Sequence, residues 1–187
     1  MSQLQSAIEQ KVLSGWRSIY KIATYSTIIM LLLIPLQIII YMISPPPTTV
    51  EGFFSLYQRN WLLGLFNLDL IYLVTTALII PIYLALYGLL HGENKALMVL
   101  ALTIGFIGTA AYFPSNPCIE MLSLSHKYAI ADSVTQSTLY ITAGQSLLET
   151  YKGTAFNVYY VFNAISLILI SKVMIKTKKV TKLTSYS

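Results

Sequence analysis

Four long apolar runs constrain the fold of this chain more than any other feature of its sequence. They cover residues 22–44, 68–90, 96–113 and 154–175. A helix needs about 20 apolar residues to cross roughly 30 Å of hydrocarbon. Only 10% of the 187 residues are charged, whereas an ordinary soluble domain has about 25%. The sequence therefore predicts an all-α integral membrane bundle with four transmembrane helices.

A polar stretch, residues 1–21, precedes the first apolar run. Leu4, Ile8, Val12 and Trp16 recur within it at near-helical spacing. This pattern is typical of a helix that lies in the membrane interface. The first apolar run then ends in "SPPPTT", without the small-residue cleavage site of a signal peptide. We therefore expect an N-terminal interfacial helix followed by an uncleaved first crossing.

Lysine and arginine residues are distributed unevenly between the two sets of segments that flank the apolar runs. The set that includes both termini contains nine of them, and the other set contains three. Because cytoplasmic segments carry an excess of Lys and Arg, we expect a cell-membrane protein with both termini in the cytoplasm. The nine inner residues are Lys11, Arg17, Lys21, Lys95, Lys172, Lys176, Lys178, Lys179 and Lys182, and the three outer ones are Arg59, Lys127 and Lys152.

The two outer connections have helical patterns of their own. Residues 48–66 place apolar side chains on one face, and Thr48 and Glu51 stand at capping-box spacing, so the sequence predicts one amphipathic helix there. Residues 117–152 are bounded by proline and glycine, and Ser133 starts a second capping box inside them. This segment predicts a helical hairpin. Together the two connections predict an extracytoplasmic helical cap.

Polar side chains inside the crossings are the first candidates for a functional site, because they are costly in hydrocarbon and tend to face the bundle interior. Gln37 lies in the first run, Asp69 and Thr75 lie in the second, and Asn163 lies in the fourth. They are candidates for the lining of a small cavity open to the outside. Alternatively, Gln37 and Asn163 join helices by hydrogen bonds, and Asp69 complements the positive end of its helix.

The hydrophilic segment "SNPCIEMLSLSHKYAIADS" is the second candidate. A metal site made from Cys118, Glu120, His126 and Asp132 would need ligands at characteristic short spacings, which are missing. A hydrolase site made from Ser125 or Ser123 with His126 and Asp132 is disfavoured, because the GxSxG elbow is missing and because sequence neighbours do not face each other on a helix. We interpret Glu120, His126 and Asp132 as polar residues of the cap, and predict no metal, cofactor or catalytic residue.

Small residues recur every four positions along the third apolar run. Ala101, Gly105 and Thr109 form this row, with Gly108 beside it. Such a row lets two helix backbones approach closely in a membrane. It predicts a tight helix contact and not a catalytic site.

Four phrases give the chain a family resemblance: "LDLIYLVTTALIIPIYLALYGLL", "EMLSLSHKYAIAD", "ITAGQSLLETYKGTAFNVYYVF" and "VMIKTKKVTKLTSY". From about residue 50 onward the chain resembles an uncharacterised bacterial membrane family, domain of unknown function 4386. The resemblance implies a multi-pass protein of the cell membrane without an assigned activity or cofactor. In that family the phrase matching "KVTKLTSY" leads into further helices. We therefore expect either a C-terminally truncated member or a short natural paralogue.

The basic tail, residues 176–187, contains Lys176, Lys178, Lys179 and Lys182. Its simplest role is to bind anionic lipids of the inner leaflet. Nucleic-acid binding would need interleaved readout residues, which the tail lacks. We therefore expect the lipid bilayer as a partner and no nucleic acid.

These features predict a non-enzymatic membrane protein that binds or passes a small or lipid-like ligand, or that supports a membrane partner such as another helix or a second copy. The rival class is a membrane enzyme with its site under the cap, built from Glu120, His126 or Asp132. Geometry discriminates between the classes, because a general acid or base has to lie within hydrogen-bond reach of the group it serves.

Overall fold

The computed structural model describes the backbone of residues 2–177 and the side chains of residues 15–177. Within these residues it contains eight helices and no strand, so the all-α prediction is confirmed. Lys178, Lys179 and Lys182 lie outside the described residues. The helices are α1 Ser2–Ile43, α2 Val50–Arg59, α3 Trp61–Asn67, α4 Leu70–Leu90, α5 Lys95–Ser115, α6 Cys118–Ala129, α7 Val134–Tyr151 and α8 Thr154–Met174.

Four helical stretches are long and apolar enough to cross a membrane, as the sequence predicts. The first stretch lies within α1 and the second is α4. The last two are longer than the predicted crossings because each joins two successive helices, α5 with α6 and α7 with α8. The four stretches are Gly15–Ile43, Leu70–Leu90, Lys95–Ala129 and Val134–Met174.

The predicted interfacial segment and the first crossing form one continuous helix, α1, without a boundary at residue 21. Trp16 packs this part of α1 against α4. Its ring lies 6.1 Å from that of Tyr87 and 6.4 Å from that of His91, both at the end of α4. A Cβ atom on Gly88 would lie 2.7 Å from the Trp16 ring, so the absence of a side chain at position 88 leaves room for the indole. The interfacial position of the earlier residues stays a prediction.

Residues 48–66 hold two helices where the sequence predicts one. The break falls at Asn60, whose backbone is extended and whose side chain accepts a hydrogen bond from the Leu63 N–H at 3.1 Å. Asparagine is a strong helix N-cap, and here it starts α3 at the expense of α2. The cap of α2 is also displaced from the predicted Thr48, because Thr49 accepts the Gly52 N–H at 3.1 Å.

The four spanning helices pack as two antiparallel pairs. α1 lies along α4, α5 lies along α8, and α4 contacts α5 between the pairs. Glycines set the distance between α5 and α8. A Cβ atom on Gly108 would lie 2.8 Å from the Asn163 amide nitrogen, and one on Gly105 would lie 2.7 Å from the Ser166 hydroxyl. The tight contact predicted from the small-residue row of α5 is confirmed.

The connecting helices α2, α3, α6 and α7 meet at one end of the bundle, because α2 and α3 join α1 to α4 while α6 and α7 join α5 to α8. We call these four helices the connecting-helix cluster. Its core contains the fully buried Phe54, Tyr57 and Met121. The Tyr57 hydroxyl donates to the Cys118 carbonyl at 2.8 Å, and burial raises the pKa of Tyr57, which keeps this donor protonated.

Candidate functional site: a polar cavity around Asp69

Asp69 connects α3 to α4 in a left-handed backbone conformation, with φ 62° and ψ 29°. Among the described residues it is the only non-glycine residue with a positive φ, and aspartate is one of the few types that tolerate this region. Its N–H donates to the Phe66 carbonyl at 3.1 Å, and its own carbonyl accepts the Leu73 N–H at 2.9 Å. The backbone N–H of Asp69 therefore bonds to the last turn of α3, and its carbonyl accepts the first hydrogen bond of α4.

The Asp69 carboxylate links helices that are distant in sequence. The Tyr41 hydroxyl of α1 donates to Oδ1, and the Tyr151 hydroxyl of α7 donates to Oδ2. Both partners are neutral, and the structure records no Lys or Arg paired with this carboxylate among residues 15–177. Behind Asp69, the Asn116 amide donates to the Leu68 carbonyl at 3.0 Å. The carboxylate thus lies where α1, α4 and α7 meet, and none of the described Lys or Arg side chains forms an ion pair with it.

A cavity of about 680 Å³ lies beside this carboxylate. The volume falls within the range of small-molecule sites, about 300–1,000 Å³. The connection after α1 and the last turn of α7 form much of its wall. Its polar lining includes Tyr41, Asp69, Tyr72, Glu149, Tyr151 and Lys152.

Two buried amides also line the cavity, and each has an oxygen without a hydrogen-bond partner among the described residues. Gln37 is 8% exposed, and its Nε2 donates to the Phe66 carbonyl at 3.1 Å while Oε1 is unpartnered. Asn67 is 2% exposed, and its Nδ2 donates to the Ser44 hydroxyl at 3.3 Å while Oδ1 is unpartnered. Both oxygens are covered by protein. Buried polar atoms almost always have a partner, so two unpartnered acceptors on residues that line one cavity require an explanation.

Four buried hydroxyl groups also have no hydrogen-bond partner among the described residues, but they lie elsewhere in the bundle. These hydroxyl groups are also not among the residues that line the Asp69 cavity. They belong to Thr76, Thr109, Tyr112 and Ser166.

Aromatic rings line and support the cavity on the α4 and α8 side. The Tyr72 ring lies 5.3 Å from the Tyr112 ring and 6.0 Å from the Tyr159 ring, in edge-to-face arrangements. The Phe156 ring lies 4.8 Å from the Tyr160 ring and 6.2 Å from the Tyr151 ring. Tyr72, Tyr151 and Tyr160 line the cavity itself. These tyrosine rings give the wall apolar surface, and the face of each ring carries partial negative charge.

The structure separates the four side chains that the sequence grouped as a lining. Gln37 and Asp69 line the cavity, and Thr75 and Asn163 are not among its lining residues. The Thr75 hydroxyl donates to the Tyr72 carbonyl of its own helix at 2.9 Å. One half of the predicted group is therefore brought together, and the other half is not.

Asn163 belongs to a separate joint between α4 and α8. Its Oδ1 accepts a hydrogen bond from the Tyr83 hydroxyl at 2.7 Å, and its Nδ2 donates to the Tyr159 carbonyl at 2.8 Å. This is the interhelical bonding that the sequence left open as the alternative role of Asn163.

Glu120, His126 and Asp132 are exposed on α6 and the turn after it, and no hydrogen bond joins them within the described residues. Ser125 points elsewhere, since it is fully buried and its hydroxyl donates to the Phe54 carbonyl at 3.0 Å. In the part of the chain that the structure describes, no three His, Cys, Asp or Glu side chains converge as metal ligands. This surface therefore offers no assembled reaction centre.

The residues that sequence reasoning missed are Tyr41, Asn67 and Tyr151. The two tyrosines lie 28 residues before and 82 residues after Asp69, so no local pattern relates them to it. The available signal was that all of them fall at the same predicted end of the crossings. Tyrosine is common at membrane interfaces for other reasons, so the presence of Tyr41 and Tyr151 there did not indicate that they bond to Asp69.

Comparisons with protein-family models, with curated proteins and with solved structures found no match for this chain. The resemblance to the bacterial membrane family stays a prediction. The chemistry of the site is therefore inferred from its own residues.

Proposed function

We propose that this chain is a multi-pass cell-membrane protein that binds a small ligand in the cavity at Asp69. The observation that supports this function best is a cavity of about 680 Å³ lined by the Asp69 carboxylate, with the side chains of Gln37 and Asn67 beside it. The oxygens of these two amides are covered and have no hydrogen-bond partner among the described residues, and each such group costs free energy. Donor groups of a bound ligand would satisfy them once the two side chains turn toward the cavity.

The proposed topology places the connecting-helix cluster, and with it the cavity, on the extracytoplasmic side. The excess of Lys and Arg in the segments at the opposite end supports this orientation. There Lys172 and Lys176 are exposed at the end of α8, where contact with anionic inner-leaflet lipids would favour them. The phrases that resemble the bacterial membrane family support membership of it, and we include that membership in the proposal.

The rival enzyme hypothesis has less support. It requires Glu120, His126 and Asp132 to act together, and these side chains are exposed and do not bond to one another within the described residues. No observation gives them a shared cavity.

Cysteine labelling tests the access that the proposed function requires. Leu148 lines the cavity, and Cys118 is buried and free, so we would introduce Leu148→Cys in a Cys118→Ala background. A membrane-impermeant maleimide should label this variant in intact cells. Met98→Cys, at a fully buried position, should stay unlabelled, and Gly92→Cys, in the turn between α4 and α5, should react only after permeabilisation.

Two results would overturn the proposal. The first is a folded Leu148→Cys protein that resists the reagent and reacts only after denaturation, because the cavity would then be closed. The second is labelling of Gly92→Cys from outside in intact cells, because the orientation would then be reversed.

A further inference from the structure

We propose that the ligand of this cavity is an organic cation with N–H donors, a primary or secondary alkylammonium, and this inference rests on the proposed function. The ammonium group would face the Asp69 carboxylate, and the amide oxygens of Gln37 and Asn67, which are covered in this structure, would turn toward it when it binds. The alkyl part would contact the tyrosine rings of the wall.

The charge of the lining favours a cation. Glu149 and Lys152 also line the cavity, and their formal charges cancel. Asp69 then leaves one net negative charge, which neutral hydroxyls solvate but do not balance. Electrostatic attraction strengthens where water is partly excluded, as it is at this half-buried carboxylate. An anionic ligand would meet the same charge as repulsion.

The hydrogen-bonding capacity of the lining favours donors. The NH₂ groups of Gln37 and Asn67 are already donating, so each amide offers only its oxygen. The Tyr41 and Tyr151 hydroxyls are likewise committed to Asp69. A carboxylate has about four acceptor positions, and these two tyrosines occupy two of them. An alkylammonium supplies up to three donors and no acceptor, which matches the remaining demand.

The aromatic wall and the size of the cavity favour an organic molecule. Cations are attracted to the faces of tyrosine rings within about 6 Å, and Tyr72, Tyr151 and Tyr160 present rings here. A volume of about 680 Å³ is far larger than a bare ion requires. A fully methylated ammonium would keep the ring contacts but could not donate to the amide oxygens, so it should bind more weakly than a primary amine.

The first test compares reaction rates at Leu148→Cys in the Cys118→Ala background. The reagents are a trimethylammonioethyl methanethiosulfonate and its sulfonatoethyl counterpart, each normalised to its rate at Gly92→Cys in permeabilised membranes. We expect the cationic reagent to react about tenfold faster or more, since fixed charge in a cleft changes encounter rates by such factors. High salt should reduce the ratio. Equal rates, or a faster anionic reagent, would overturn the inference, and no change at Asp69 is needed to see this.

The second test measures binding to the purified full chain in lipid nanodiscs. The probes are butylammonium, butyltrimethylammonium, butyrate and butanol, and the readout is the rise in unfolding temperature. We expect butylammonium to stabilise most, butyltrimethylammonium less, and butyrate not at all. Asp69→Asn should lower butylammonium affinity at least tenfold, whereas the matched Glu120→Gln change, at an exposed carboxylate outside the cavity, should leave it within twofold.

Further variants keep the inference falsifiable if Asp69→Asn does not fold. Gln37→Leu removes one unpartnered acceptor and should lower butylammonium affinity about threefold or more while leaving butyltrimethylammonium unchanged. Leu148→Trp fills the cavity and should abolish all binding. A different outcome is that butyrate or butanol stabilises the protein and butylammonium does not. If Leu148→Trp then removes that stabilisation, the cavity is a binding site but the cation inference fails. If no probe binds and Leu148→Cys is inert to both reagents, both proposals fail.

Discussion

Two of the polar networks that join helices among the described residues, at Asn163 and at Asp69, differ in what they leave unsatisfied. At Asn163 the Tyr83 hydroxyl donates to the amide oxygen, and the amide nitrogen donates onward to a backbone carbonyl. At Asp69 two tyrosine hydroxyls donate to the carboxylate, but amide oxygens nearby remain unpartnered beside a cavity. We call the network at Asn163 the closed joint, because both polar groups of the amide are bonded. We call the network at Asp69 the open network, because it borders a cavity and unpartnered amide oxygens.

The largest expected effect is on the closed joint and comes from Gly108→Leu. The new Cβ would lie 2.8 Å from the Asn163 amide nitrogen and 3.3 Å from the Tyr159 carbonyl oxygen, and the backbone atom cannot move aside cheaply. Overpacking of this kind costs about 1–3 kcal/mol, and we expect about 3 kcal/mol, measured as the free energy of unfolding by SDS titration in bicelles. Gly15→Leu is the matched control, because nothing lies within 4 Å of its Cβ position. Equal losses in both variants would contradict the close contact.

Asn163→Leu should have the next largest effect, about 1–2 kcal/mol, because it leaves the Tyr83 hydroxyl buried without its acceptor. The same bicelle titration measures it. Asn157→Leu, at an exposed position on the same helix, should stay within about 0.5 kcal/mol. Cysteine reactivity at Leu148 should be unchanged in both variants, and a change with Asn163→Leu would show that the two networks are one.

Tyr41→Phe tests whether the tyrosine at the open network stabilises the fold without contacting the ligand. It removes one of the two hydroxyl donors to Asp69, so we expect a loss of about 1 kcal/mol in stability. The freed carboxylate position is available to an ammonium donor, so the butylammonium-induced rise in unfolding temperature should persist. Disappearance of that rise in a folded Tyr41→Phe protein would mean that the tyrosine itself is part of the ligand contact.

Thr75→Val should have the smallest effect. The Thr75 hydroxyl is bonded to its own helix, so replacing it with a methyl group of similar size should change stability by no more than about 0.5 kcal/mol. The rates of both thiol reagents at Leu148→Cys should not change. A rate change would return Thr75 to the cavity lining, where the sequence had placed it.

The spanning helices are the part of the fold that hydrophobicity alone predicts well. The run 68–90 corresponds to Leu70–Leu90, and the run 96–113 corresponds to Lys95–Ser115. Their ends are marked by a sudden change in composition, which the bilayer enforces. Hydrophobicity does not predict the helices of the connection 48–66, because a single capping asparagine at position 60 decides where the helix breaks.

The sequence predicts only those residues of the candidate site whose polar side chains are costly to place in hydrocarbon. Gln37 and Asp69 stand out because polar groups are rare in apolar runs. Asn163 stands out for the same reason, yet it belongs to the closed joint, and nothing in its own neighbourhood in the sequence shows the difference. The difference depends on which tyrosine each side chain meets, and tertiary packing decides that.

The distance along the chain between Asp69 and its two tyrosines has a consequence for biosynthesis. As the chain emerges from the ribosome, Tyr41 is already present when Asp69 is made, but Tyr151 follows 82 residues later. Tyr160 of α8, which also lines the cavity, follows Tyr151. A nascent chain that stalls before Tyr151 therefore contains Asp69 and its first tyrosine partner but lacks both the second partner and the α8 wall of the cavity.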